Sequence, residues 1–184
     1  MKQASRFMPQ YEPEKTSRGA LIGYVTVALT IILVMVAVVV YQPWSLVVFV
    51  GLAIFAKIVW VIDQPKVEQH FLKLCQERDG LSICEFAKSF DTNVVDTWVI
   101  RAVYEQLQAA LPTEHKVPIK ASDSLLDTLL LDVDDIDLSL VEEIAQRTGR
   151  SLELFEKNPY IGKVTTAQNL VLFFNHQAPV HAMK

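Results

Sequence analysis

The sequence predicts an all-α protein: a two-helix transmembrane hairpin followed by a small cytosolic helical-bundle domain. Three observations carry that prediction. Gly19 to Ala56 contains no Asp, Glu, Lys or Arg and is mostly Val, Ile, Leu, Ala and Phe. A bilayer asks for such a run, because about 20 apolar residues are needed to cross its hydrocarbon core. Beyond Pro65, apolar residues recur at helical spacing between capping and stop signals, and no segment shows the two-residue alternation of a half-buried strand.

Met1 to Arg18 is polar, carries two prolines and has no helical periodicity, so a mobile tail is expected over residues 1–18. Its four basic residues, Lys2, Arg6, Lys15 and Arg18, favour the cytoplasmic side of a membrane. Within the apolar run the only turn chemistry is Gln42-Pro43-Trp44. Proline lacks the N–H that a helix interior needs, and tryptophan suits the headgroup boundary. The expected hairpin is therefore Gly19–Tyr41 and Ser45–Ile62, filling residues 19–62. A cleaved signal would have a shorter apolar region of about 7–15 residues, and no second one close behind it. Two crossings return the chain to its starting side. The expected location is a bacterial inner membrane, two-pass, with both termini cytoplasmic and the lipid bilayer as first partner. Lys57 lies near the end of the second helix, where its stem can reach the interface beside Trp60. Gly19-xxx-Gly23 is a small-residue pair of the kind that packs helices, which leaves a homo-oligomer open.

Residues 65–95 read as a helical linker. Val67, Phe71, Leu72 and Cys75 share one helical face, and Asp79-Gly80 stops that helix. Ser82-Ile83-Cys84-Glu85 is a capping-box pattern opening a short helix to about Phe90. Asp96 can cap the next helix, whose Val99, Ile100, Val103, Leu107 and Leu111 form a stripe ended by Pro112. Pro112 to Lys120 is a loop, and Leu125, Leu126, Leu129 and Leu130 make a short apolar segment. Ile136, Leu140, Val141, Ile144 and Ala145 then fall at helical spacing, with Gly149 as the stop. After a loop with a turn near Leu154-Phe155, a last helix has Ala167, Leu170, Val171 and Phe174 facing inward. Residues 177–184 are a tail.

Charge and composition exclude several functions. Residues 1–62 hold five basic and two acidic residues, leaving 12 basic and 19 acidic in the remainder. An acidic soluble part has no basic footprint for nucleic acid. The two short helices around Asp91-Thr-Asn invite a helix-turn-helix reading, but the second offers Arg101 among Asp96 and Glu105. Cys75 and Cys84 lack metal-ligand or redox spacing. The four histidines are scattered, and no nucleophile elbow or glycine-rich phosphate loop is present. The expectation is a protein that is not an enzyme and holds no cofactor. Asp132, Asp134 and Glu143 match three positions of a calcium loop, but Ile136 and Asp137 stand where a ligand and a glycine are required.

From about Asp96 to Phe174 the chain resembles an acyl carrier protein, so residues 96–176 are expected to form an acyl-carrier-like four-helix domain. Lys163-Val-Thr-Thr-Ala-Gln-Asn169 looks like the family's entry to its final helix, and Leu140-Val-Glu-Glu-Ile-Ala-Gln-Arg-Thr-Gly149 like the end of its second. In that family an Asp-Ser-Leu motif opens the second helix and its serine carries phosphopantetheine. Here the aligned residues are Asp134-Asp135-Ile136, and a carboxylate cannot form that linkage. The Leu129, Asp132, Asp134, Asp135 pattern looks more like bacterial acyl-carrier-like domains of unknown function that lack the serine. A literal Asp123-Ser124-Leu125 occurs out of register, making Ser124 the alternative attachment site.

The family's second helix is what its partner enzymes recognise. The resemblance therefore implies a partner-binding surface at Asp134, Asp135, Asp137, Glu142 and Glu143, to which the acidic charge pattern adds Asp132, facing a protein with a basic surface. The expected function is a membrane-tethered, non-catalytic interaction module. The alternatives are a membrane-anchored carrier using Ser124, and a structural, self-associating membrane protein.

Overall fold

The computed structural model describes residues 4–12, 17–132, 136–153 and 155–180. Among these the protein is all-helical, with no strand and only two isolated bridges, Ser124 to Thr166 and Arg150 to Pro179. Two compact units divide the chain. One is Glu12–Lys66, which holds most of the apolar helical run; the other combines the N-terminal segment up to Tyr11 with Val67–Lys184.

In the first of these units, α1 spans Arg18–Tyr41 and starts on Ser17, whose hydroxyl accepts from the Ala20 N–H at 3.1 Å. Its two threonines return their hydroxyls to the helix, Thr26 to the Gly23 carbonyl and Thr30 to that of Thr26. Polar groups satisfied in this way do not oppose a hydrocarbon surrounding. Gln42 and Pro43 make the connection, and α2 spans Trp44–Glu77. Gly19–Tyr41 and Trp44–Glu77 are each long and apolar enough to cross a membrane, and none of their most apolar stretch is covered by protein. A soluble protein would bury such helices. Lys57 Nζ lies 5.2 Å from the Trp60 ring centroid, a cation–π pairing in place of a carboxylate partner.

At 1.5 Å per residue, α2 is about 50 Å long, well beyond the ~30 Å of a hydrocarbon core. Pro65 does not end it, although the sequence reading began a new region there. The unit boundary falls within this helix, between Lys66 and Val67. Residues 67–95 are thus part of the folded unit rather than a linker to it. On this part of α2, Phe71 and Leu74 are buried with Val67 and Cys75 beside them, while Leu72 turns outward.

In the second unit, α3 (Ile83–Lys88) is capped by Ser82, and α4 (Thr97–Ala110) by Asp96, whose carboxylate accepts from the Trp98 N–H. α4 is central. It packs against α3, α5 (Val141–Thr148) and α6 (Ala167–His176), burying Val99, Ile100, Val103 and Leu107. Leu111 through Asp132 contains no helix, yet Val117, Ile119, Leu125, Leu129 and Leu131 of this stretch are buried. Leu126 and Leu130 point out, because the segment is a chain of turns instead of a helix, with Leu130 at φ +52°. A five-residue π turn, Ile136–Leu140, leads into α5, which ends on Gly149 at φ +64°. A 3₁₀ turn at Phe155–Lys157 precedes α6, whose cap is Thr166.

The N-terminal segment is folded too, so the expectation of a mobile tail does not hold over residues 4–11. Ser5–Phe7 is a 3₁₀ turn against α4, and Met8 is 7% exposed as a member of the core.

Candidate functional site

The acidic opening of the π turn and α5 is the sequence-predicted surface, and the structure separates its residues. Asp134 and Asp135 lie outside the described residues, and Asp137 is described only as backbone within the π turn. Asp132 and Glu142 are exposed. Glu143 is half-buried and accepts a short hydrogen bond from Gln106 Nε2 on α4. It therefore also works inside the fold, holding α5 to α4.

Behind the acids stands a buried arginine. Ile136, Leu140, Ile144 and Arg147 occupy one face of this helical stretch, and the first three are core residues. Arg147 follows them inward, with its side chain 1% exposed. Its guanidinium donates from Nη1 to Gln106 Oε1 at 2.8 Å, from Nη2 to Glu105, and from Nε to the Pro9 carbonyl at 3.1 Å. Arg101 shares Glu105 at 2.9 Å. A charge taken out of water is tolerated only when paired and hydrogen-bonded, and here each of its three nitrogens has an acceptor.

A second buried pair holds the base of the unit. Arg78 follows Phe71 and Leu74 on the inner face of the α2 stretch and meets Asp123 with both nitrogens, at 2.7 and 2.8 Å. The two side chains are 7% and 5% exposed. Arg78 also donates to the Pro118 carbonyl, and Asp123 accepts the Lys120 N–H. This bidentate pair pins the irregular stretch to the chain that emerges from α2. Its neighbour Ser124 is the next residue, and its hydroxyl is engaged twice: it donates to Asp127 Oδ2 at 2.9 Å and accepts the Asp127 N–H at 3.1 Å. Ser124 therefore organises the turn that follows it, with the Leu125 N–H bonded to Thr165.

The surroundings of Tyr104 and Lys88 both favour the protonated form. Burial of Tyr104 against Phe86 pushes its phenol above the ordinary range, opposed by a backbone hydrogen bond from Ile119. Lys88 is held upward by its hydrogen bond and charge pairing with Glu85 on the surface. Among the described residues no group of three or more His, Cys, Asp or Glu side chains is placed to hold a metal ion.

No protein-family model, curated protein or solved structure matches the chain. The likeness to acyl carrier proteins rests on residue pattern alone. The residues that sequence reasoning missed, Arg78, Gln106, Asp123 and Arg147, are polar and buried. Three of them carried a signal: Arg78, Gln106 and Arg147 each continue an apolar helical stripe, where a polar side chain must find a buried partner.

Proposed function

We propose that the protein is a membrane-tethered interaction module, an acyl-carrier-like helical domain that works through an acidic helix opening instead of a prosthetic group. One observation carries the tethering: chain from both sides of the apolar hairpin contributes to a single compact unit. A hairpin whose two flanks belong to one folded unit has both flanks on one side of a bilayer. The basic tail favours the cytoplasm for that side, and a bacterial inner membrane is the location proposed. The order of elements supports the carrier-like part of the reading: α4, a long irregular stretch, α5, a short turn and α6. The exposed Asp132 and Glu142 give the surface its sign, and its partner is a protein with a basic face.

The test is recovery of protein partners from solubilised membranes, at low and raised ionic strength. Wild type is compared with a chain carrying Asp132→Asn, Asp134→Asn, Asp135→Asn and Glu142→Gln. Loss of a salt-sensitive partner in the variant supports the reading, since steering by exposed charge weakens as salt screens it. An identical partner set at both ionic strengths rejects the acidic surface. Labelling of a cysteine placed near either terminus from the outer face rejects the topology.

A further inference from the structure

The N-terminal segment and the acidic helix are joined by an unbroken run of hydrogen bonds. The Pro9 carbonyl accepts from Arg147 Nε, Arg147 Nη1 donates to Gln106 Oε1, and Gln106 Nε2 donates to Glu143. Gln106 thus uses both ends of one amide, fixing its orientation between the two helices. The segment has a second hold through Met8, buried in the core, and a weaker one where Arg101 reaches the Ser5 hydroxyl at 3.4 Å. Among its described residues it carries no helix longer than the three-residue turn at Ser5–Phe7, and its covalent link to the rest of the unit runs through the two apolar helices. A short piece with one buried apolar side chain is the part of a fold that opens at lowest cost.

We infer that residues 4–11 form an intramolecular latch on the soluble unit, and that its hold is coupled through Arg147 and Gln106 to the Glu143 carboxylate. The coupling rests on the reading of the acidic helix opening as a partner surface. A cationic partner that draws Glu143 away from Gln106 removes one of the two groups that orient the amide. Gln106 then no longer presents its oxygen to Arg147 in a fixed position, and the guanidinium's grip on Pro9 weakens. Reciprocally, a docked latch holds Glu143 inward and disfavours the partner, because linkage between two binding events acts equally in both directions. The latch is therefore an autoinhibitory contact made by the chain that precedes the membrane helices.

Cross-linking reads the latch directly. Ser5 and Cys84 line the same cavity of about 140 Å³, together with Arg101 and Ile100. The full chain, with Cys75→Ser and Ser5→Cys, is placed in nanodiscs of zwitterionic phosphatidylcholine and treated with a short thiol-specific bifunctional reagent. The expected result is rapid cross-linking within one chain. Met8→Asp should slow it about tenfold or more by making the buried seat unfavourable, whereas Gln10→Ala, at an exposed position, should leave it within about twofold. Fluorescently labelled octalysine supplies the cationic probe. Its binding should slow cross-linking severalfold in the parent chain and leave the rate unchanged when Glu143→Gln is present.

Products linking two chains, or a rate indifferent to Met8→Asp, overturn the latch. Octalysine that binds without altering the rate overturns the coupling and leaves the proposed function standing. Failure of octalysine to bind removes the acidic surface and the coupling together, while fast Met8-dependent cross-linking would still establish the latch.

Discussion

Removing the Asp123 carboxylate should strongly destabilise the unit that contains Val67–Lys184. In the folded protein Arg78 gives three hydrogen bonds, two of them to Asp123, and neither side chain is reached by water to any extent. Asp123→Ala leaves the guanidinium buried with the Pro118 carbonyl still accepting from it. Breaking such a pair by deleting one member costs about 3–5 kcal/mol, a fifth or more of the ~5–15 kcal/mol that is a typical domain's total stability. With an m-value of about 2 kcal/mol per molar urea, a loss of about 4 kcal/mol moves the unfolding midpoint down by about 2 M. Arg78→Met should do the same from the other side. The double variant, Arg78→Met with Asp123→Leu, removes both charges and takes these partners from the Lys120 N–H and the Pro118 carbonyl. That costs about 1–3 kcal/mol, so the two changes together should be milder than either alone or comparable to it. The assay is urea unfolding of the full chain in nanodiscs, followed by fluorescence of Trp98. Replacing Trp44 and Trp60 with phenylalanine leaves Trp98 as the sole tryptophan of the three. A single-variant shift below about 0.5 M, or a double variant as damaging as the sum, would refute the argument.

Three further outcomes are expected. Burial raises the Tyr104 phenol above its ordinary value of 10.0, so the folded state keeps that proton longer than the unfolded chain does. Its contribution to stability is complete below pH 10 and is lost as pH rises through the folded value, so Tyr104→Phe should flatten the alkaline limb of the stability profile. Superimposable limbs, followed by Trp98 fluorescence, would contradict this. Gly149→Ala places a Cβ in the left-handed region at φ +64° and should cost about 1–2 kcal/mol by the same unfolding assay, with no packing clash to add to it. Co-expression with a phosphopantetheinyl transferase should leave the intact mass unchanged; a gain of one arm that Ser124→Ala abolishes would make the protein a true carrier.

What the sequence made legible was local. The charge-free run marked both apolar helices, Asp96 and Gly149 marked the start of α4 and the end of α5, and the stripe residues of α4, α5 and α6 are core, with Val141 only partly buried. These signals depend on neighbours a few positions apart. Pro65 misled as a boundary, because a proline forbids only one hydrogen bond and a long helix can tolerate its loss. Leu72 and Leu130 misled because apolar residues outnumber buried positions, and the face that wins is set by tertiary contact. Met8 gave no periodic signal, sitting beside Phe7 in an otherwise polar stretch whose partners are more than ninety residues away. The same distance hides the Arg78–Asp123 pair, forty-five positions apart. At the acidic surface, sequence could show the clustered charge but not that Glu143 is already committed to Gln106.

The two-residue connection between α1 and α2 constrains how the protein can be made. The Ser45 and Leu46 amides already bond back to Gln42 and Pro43, so the second helix begins without spare chain. On a two-pass reading, threading α1 alone across a bilayer would leave the apolar start of α2 stranded in water beyond it, with nowhere to fold. The pair must instead enter as a bent unit, after synthesis has passed at least the end of the apolar part of α2. By then the N-terminal segment has been waiting, unpartnered, for a seat on α4 and α5 that the ribosome has not yet produced.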